Sequence, residues 1–558
     1  MKYLLLATMF VSFEATTMAQ KVHMSRDLVK AQWTNANVEV IVQYRQRPTQ
    51  AQHGRVASLG GRFKKQLGLI NAGSYSVPAG NLEALAADPE IASIAPDRKV
   101  HMLLDNTAAA VNAAAAWNYG LDGSGIGVAV IDSGISEHGD LQGAHGSRIV
   151  FRDNFVGTDS SDHYGHGEHV AGILAGNGGN SKCMICSRNF VGIAPNANLI
   201  DLRVLDENGE GTDSGVIAAI EQAIQLRDRF NIRVINLSVG RPVFESYQTD
   251  PLCQAVEAAW QAGIVVVVAA GNDGRMNVAN NHGYGTISSP GNDPYVITVG
   301  AMKSMGTHDR ADDLIASYSS KGPTQIDHIV KPDILAPGNQ VVSLLSPDGS
   351  LQSLYPQNGV PVNYYEWTQK ALPSGSYFTL SGTSMAAPVV SGAAALLLQA
   401  YPELTPDQVK ARLMRTAYKT LPTSSIGYDS LTGQSFTSEY DVFTVGAGYL
   451  DIQAALADNT WFWGTARSPS AVYLPASDGH PAAALIACGS GSVCGHGWRT
   501  VQSIWGTQAV WGNGSIWGDG SIWGDGSIWG DGSIWGDGSI WGDAPLGDLT
   551  GIAITGEQ

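Results

Sequence analysis

From Val38 to Tyr44 apolar and polar residues alternate, which places Val38, Val40, Val42 and Tyr44 on one face and predicts a half-buried strand. The basic stretch from Arg55 to Lys65 has helical spacing and predicts a helix. A strand-like run from Gly68 to Val77, a short helix from Asn81 to Ala87 and a last strand from Ile91 to Ile94 follow. Together these make a small α+β unit of about seventy residues, little for an enzyme but enough for an inhibitor or a folding chaperone.

Between residues 105 and 456 the rhythm changes to strands alternating with helices. Buried strands are predicted at Gly127 to Asp132, Leu199 to Leu205, Val234 to Ser238, Ile264 to Ala270 and Val296 to Gly300. Helices are predicted at His166 to Leu174, Gly215 to Phe230, Pro251 to Gln261, after Ser384, and from a Thr405 cap to Ala417. This order predicts an α/β domain, a parallel sheet covered by helices on both faces. The helix after Ser384 is apolar on nearly every side from Val389 to Ala400, and so belongs at the centre of a large domain.

The two ends read differently. Lys2, the mostly apolar run Leu4 to Phe13 and the small residues up to Ala19 predict a signal peptide over 1–19 and a secreted protein, extracellular or at the cell surface. After this leader no apolar run is expected to reach the ~18 residues of a membrane span. Residues 457–502 read as a linker or small segment, 503–544 as a hexapeptide repeat and 545–558 as a tail. The repeat runs SIWGTQ, AVWGNG, SIWGDG four times and SIWGDA, with Trp505, Trp511, Trp517, Trp523, Trp529, Trp535 and Trp541 six apart. An even period places every Trp on one face of an extended chain. Three readings stay open: a flexible linker, a stacked solenoid, and a Trp platform for polysaccharide or a cell surface.

Composition narrows the partners. A net charge of −17 over 558 residues argues against nucleic acid or an anionic membrane. Of the five cysteines, Cys488 and Cys494 are spaced to close a small loop, Cys183 and Cys186 either pair or stay reduced, and Cys253 reads as a small core residue.

Candidate chemistry lies at element ends. Asp132 closes an apolar strand, at the sheet edge where sites form. His166 opens a helix within Gly165-His166-Gly167-Glu168-His169. Asn272 sits at another strand end. Ser384 stands in Gly382-Thr383-Ser384-Met385, where the following helix offers free N–H groups and the positive end of its dipole. A serine hydroxyl is a weak nucleophile alone. It needs a base, a group to orient the base, and donors for the oxyanion.

These stretches, VIDSGI, GHGEHVAG, GIAPNANLIDLRVL, VINLSVG, VVAAGNDG, KPDILAPG and GTSMAAP, resemble the subtilisin-like serine proteases (subtilases) over about residues 120–395. Residues 38–100 resemble the subtilisin propeptide more loosely. The resemblance implies a secreted endopeptidase acting on polypeptides, with Ser384 as nucleophile, His166 as general base and acid, Asp132 orienting His166, and Asn272 with the Ser384 N–H holding the oxyanion. It implies strand-like substrate binding on Ser238, Val239 and Gly240, with Ala270 and Gly271 walling the main pocket, and Asp273 at its rim. It also implies a propeptide over 20–104 that inhibits and is cut off near Leu104, and a catalytic domain over 105–456. No cofactor is required for the chemistry; Asp140 matches a structural calcium ligand of some subtilases, although the loop that would complete such a site differs here. Glu168 stands where the family usually has threonine, and is expected to face solvent. The contrasting reading is an inactive subtilase scaffold used for surface binding.

Overall fold

The computed structural model describes residues 23–24, 37–96, 106–277, 281–368, 371–429, 432–474, 482–486, 554 and 556–557. The expected signal peptide, the cleavage region at Leu104, Cys488, Cys494 and the Trp repeat lie outside the described residues. The chain divides into two units, Met1–His101 and Met102–Gln558.

In the first unit, strand Asn37–Tyr44 pairs antiparallel with Ala72–Pro78 and Ile91–Pro96. Arg62–Leu67 continues the sheet on one side, and His23–Met24 runs parallel to Ile91–Pro96 on the other. The alternation is realised: Val40, Val42 and Tyr44 are buried with Val56, Tyr75, Leu82, Leu85, Ile91 and Ile94 in a core of their own. The helix expected over 55–65 is displaced. It spans Gln50–Ser58, because Thr49 and Gln52 form a reciprocal capping box, with Gln52 Oε1 accepting from the Thr49 N–H at 2.9 Å. The basic residues after it form an edge strand whose first four side chains are exposed, where positive charge discourages pairing with another sheet.

The second unit is built on an eight-stranded sheet. Its principal elements are β1 (Gly127–Asp132), β2 (Ile149–Asn154), α1 (His166–Ala175), β3 (Asn198–Arg203), α2 (Asp213–Phe230), β4 (Ile232–Leu237), α3 (Pro251–Gln261), β5 (Val265–Ala269), β6 (Ile297–Lys303), β7 (Ile334–Pro337), α4 (Thr383–Ala400) and α5 (Pro406–Thr416). The strand order is β2-β3-β1-β4-β5-β6, with β7 also on β6 and the short antiparallel Leu314–Ile315 at that edge. The other pairings are parallel. The chain leaves β1 towards one side of the sheet and later returns to its other side, so the crevice of this fold opens at the carboxyl end of β1. Asp132 is the last residue of that strand.

Helix α4 packs on β4, β5, β6 and α1, while α2 and α3 pack on each other and against β4 and β5. Contrary to the expectation from sequence, α4 is long and apolar enough to cross a membrane, with 18 residues and a mean hydropathy of 1.4. Of that stretch 83% is buried, as befits a core helix. Packing also continues past the expected boundary at 456. Phe462, Ala466, Ser468 and Ala471 are buried, and Ser468 accepts from Lys410 Nζ at 2.9 Å and donates to Asp333.

Candidate active site

Asp132 and His166 meet at the carboxyl end of β1. His166 Nδ1–H donates to Asp132 Oδ1 at 2.7 Å, and the same oxygen accepts from the Ser133 N–H at 2.8 Å. Asp132 is buried and the His166 side chain is 16% exposed. This bond fixes the imidazole with its proton on Nδ1 and leaves Nε2 free to accept one. Burial pulls the His166 imidazolium down, but the Asp132 charge and hydrogen bond, with a smaller effect of Asp162, outweigh it and leave His166 above its ordinary 6.5.

A residue not singled out from sequence holds this pair. Asp162 is fully buried and accepts from the N–H groups of Gly165 at 2.7 Å and Glu168 at 2.7 Å, and from Ser133 Oγ at 2.8 Å. Ser133 Oγ in turn accepts from Gly167 N–H at 2.8 Å. Asp162 therefore caps the first turn of α1 and ties it to the end of β1. The sequence signal was an aspartate four residues before a helix-initial histidine.

Glu168 does not face solvent. It is fully buried and accepts from the Ser136 N–H at 2.6 Å. Position three of α1 points it into the structure rather than out of the crevice. Burial first, then the Asp162 charge, raises its carboxyl well above the ordinary 4.5. A carboxyl raised on folding contributes stability fully below its ordinary value, and that contribution is lost as pH climbs towards the raised one. Glu168→Gln keeps the acceptor and removes this loss. Scanning calorimetry should show the variant melting roughly 2–4 °C higher than its parent near pH 8 and no higher near pH 4. Equal melting at the higher pH would contradict a carboxyl raised by its burial.

The third element is the start of α4. Gly382 precedes it with φ +145°, a conformation that favours glycine. Asn272 Oδ1 accepts from Thr383 N–H at 2.9 Å and from Thr383 Oγ1 at 3.1 Å. With its oxygen so used, the amide presents its NH2 to the turn; a Cβ on Gly382 would come within 3.2 Å of Nδ2. The Ser384 hydroxyl donates to the Ser238 carbonyl at 3.2 Å, while Ser238 Oγ donates to the Ser384 carbonyl at 2.9 Å. Asn236 and Ser391, also unremarked in the sequence, extend this network: Ser391 Oγ donates to Asn236 Oδ1 at 2.8 Å, and Asn236 Nδ2 to Ser238 Oγ at 3.0 Å.

Gly240 and Gly271 both pack against Ser288. A Cβ on either would reach Ser288 Oγ, at 2.9 and 3.1 Å respectively. Ala270 is buried, Val239 is partly buried, and Asp273 is partly buried with its carboxyl raised by desolvation. The carbonyl end of β4, Gly271 and the Ser384 turn thus lie side by side, with the Gly271 N–H donating to Thr383 Oγ1 at 3.1 Å.

Comparison with known proteins fits this arrangement. Residues 123–448 match the Subtilase family. The chain belongs to that family. It is 40% identical to "Serine protease AprX" of Bacillus subtilis (strain 168) over 363 residues, covering 63% of this chain and 75% of that protein. It is 33% identical to "Subtilisin E" of the same organism over 366 residues, 65% of this chain and 79% of that protein, and 32% identical to "Alkaline protease" of Alkalihalobacillus alcalophilus over 361 residues, 64% and 75%. This subtilase is a serine endopeptidase.

The subtilase departs from expectation at Asp140. Its carboxylate is buried and already accepts from the Asn180 N–H at 2.6 Å and the Tyr377 hydroxyl at 2.8 Å. The Arg148 guanidinium donates to the carbonyls of Asp140 at 2.8 Å, Ala175 at 2.5 Å and Ala197 at 3.0 Å. Donors surround Asp140, and a resident cation already takes the nearby carbonyls. Calcium needs six to eight oxygen ligands, so these residues do not fit it. Cys183 and Cys186 form a disulfide in the loop beyond Asp140, and Cys253 is a buried free thiol.

Proposed function

We propose that this endopeptidase works through Asp132, His166 and Ser384, with Asn272 and the Ser384 N–H as the oxyanion site. The observation that carries the reading is the 2.7 Å His166–Asp132 hydrogen bond, together with Ser384 held by the Ser238 carbonyl and Asn272 held by the Thr383 N–H. An extended peptide lies along Ser238, Val239 and Gly240, and its N–H takes the Ser238 carbonyl. The Ser384 hydroxyl, displaced from that acceptor, turns to His166 Nε2. Its oxygen attacks the scissile carbonyl carbon as His166 takes the proton. The carbonyl oxygen becomes an oxyanion beside Asn272 Nδ2. His166 then gives the proton to the leaving amine, the C–N bond breaks, and an acyl-enzyme remains. Water deacylates it by the same route in reverse. The region of Gly240, Gly271 and Ser288 receives the substrate's main side chain and favours a neutral, apolar one.

Asn272→Ala is expected to lower kcat on a soluble peptide by roughly 10²–10³ with little change in KM, because its NH2 acts on charge that exists only in the transition state. A loss confined to KM would place Asn272 in ground-state binding instead.

The same reading makes the protein a secreted precursor. The independent core of the first unit supports an inhibitor over 20–104, removed by the enzyme itself near Leu104. For the Trp repeat the linker, the stacked solenoid and the platform for a surface or polysaccharide stay open as readings of the sequence. N-terminal sequencing of the exported protein should find a mature start near Leu104, and Ser384→Ala should keep its full length. Processing of purified Ser384→Ala would refute self-cleavage.

A further inference from the structure

The tail beyond the repeat was given no role from sequence, yet its described residues are buried in the catalytic unit. Glu557 is 2% exposed and Ile554 belongs to the main core. The site that receives Glu557 is built for it. Ser317 donates to Glu557 Oε2 through both its N–H and its Oγ, each at 2.7 Å. Arg275 Nη2 lies 3.4 Å from the same oxygen, and Lys303 Nζ 3.8 Å from Oε1. Asn339 reads the main chain: its Oδ1 accepts from the Glu557 N–H at 2.7 Å and its Nδ2 donates to the Glu557 carbonyl at 2.8 Å. A buried carboxylate is tolerated only with such partners. Gly556 has φ +62°, and a Cβ there would meet Ser381 Oγ at 2.4 Å, so the segment lies flush on the residue before Gly382.

The two places gripped by Glu557 are the supports of the active site. Residues 317–320 back the Asn272 loop: the Tyr318 carbonyl accepts from Gly274 N–H at 2.8 Å and Ser320 Oγ accepts from Asp273 N–H at 3.0 Å. Residues 338–340 back the Ser384 turn: the Gly338 carbonyl accepts from Gly382 N–H at 2.7 Å, and Gln340 N–H donates to Ser381 Oγ at 2.9 Å. Glu557 bonds to the first support through its side chain and to the second through its main chain.

We propose that Ile554, Gly556 and Glu557 form a clasp, docked in a site specific for a short glutamate-bearing peptide, that positions Asn272 relative to Ser384. The nucleophile turn and the oxyanion loop are then locked together only after the residues beyond the repeat have arrived. On this reading the residues that follow the repeat contribute to turnover. The clasp rests on the proposed roles of Ser384 and Asn272 for its kinetic consequence, but not for its binding.

Two full-length variants test it from opposite sides. Glu557→Ala removes the carboxylate. Gly427→Ala leaves the tail intact but places a methyl carbon 2.0 Å from Glu557 Oε1, at a glycine without positive φ. Both should lower kcat on a soluble peptide roughly tenfold or more while KM stays within about twofold, as expected when reacting groups are misplaced. Glu557→Gln, which keeps an acceptor for Ser317, should recover part of the loss. In a variant lacking 551–558, a synthetic peptide of those residues should restore turnover saturably, and the same peptide with alanine for the glutamate should not. Unchanged kcat in both Glu557→Ala and Gly427→Ala, or a fall in melting temperature alone, overturns the clasp. A separate arm is independent of catalysis: the labelled peptide should bind the deletion variant carrying Ser384→Ala, by fluorescence anisotropy, and lose binding on Asn339→Ala. Absence of binding there also overturns it. Failure of the parent enzyme to turn over the substrate would instead count against the proposed catalytic roles.

Discussion

Ser384→Ala should remove essentially all turnover on a soluble peptide, a loss on the order of 10⁶-fold, the size met when the nucleophile or base of a subtilisin is removed. The reason lies in the start of α4. In the proposed mechanism Ser384 offers the nucleophilic oxygen to a carbonyl beside Asn272, and its hydroxyl is held at the carboxyl end of β4 by the Ser238 carbonyl at 3.2 Å. The fold should survive. Thr383 and Asn272 keep their hydrogen bonds, α4 keeps its buried face, and the alanine leaves one hydrogen bond unmade, worth about 1 kcal/mol. Unchanged melting with lost turnover is the expected pair of results. Ordinary turnover in this variant would show that another residue attacks the substrate.

Asp132→Asn should cost roughly 10⁴-fold in kcat. An NH2 turned to His166 would oppose the Nδ1–H tautomer, and in either orientation the uncharged amide no longer stabilises the imidazolium formed during attack. The pH profile separates this account from simple disruption. In the parent enzyme His166 must be neutral to accept the serine proton. Its imidazolium is raised above 6.5, so activity should fall as pH drops through that raised value. In Asp132→Asn the burial that depresses the imidazolium persists, while the charge that outweighed it is gone. The residual activity should therefore keep its acid limb at lower pH than the parent. An acid limb that stays in place would mean that His166 does not set it.

Much of this site was legible in the sequence because it lies at element ends. An apolar run ending in aspartate fixed β1 and Asp132 together; a glycine-flanked histidine opening an apolar run fixed α1 and His166; a serine ahead of an all-apolar helix fixed α4 and Ser384. Local pattern carries such information because burial and capping act over a few residues. What was not legible depends on contacts between distant residues or on which way one side chain turns. Asp162 reads as a loop aspartate until its carboxylate is seen under the first turn of α1. Glu168, two residues from His166, was placed in solvent by its charge, whereas the Ser136 N–H draws it inward. Asp140 matched a calcium ligand, but Arg148 and the carbonyls of Ala175 and Ala197, dozens of residues away, fill its surroundings. In the first unit the capping box at Thr49 outweighed the helical spacing further on. The tail was hardest of all, since Glu557 lies 240 residues from the Ser317 it grips.

The central claim is that Ser384 is the attacking group of this endopeptidase, and covalent labelling tests it most directly. Purified enzyme treated with a fluorophosphonate should gain one adduct by intact mass, lose turnover in proportion to labelling, and yield a single modified peptide containing Ser384, with no adduct formed on Ser384→Ala. Turnover that persists in fully labelled enzyme, or an adduct that maps to another residue and tracks the loss of activity, would contradict it.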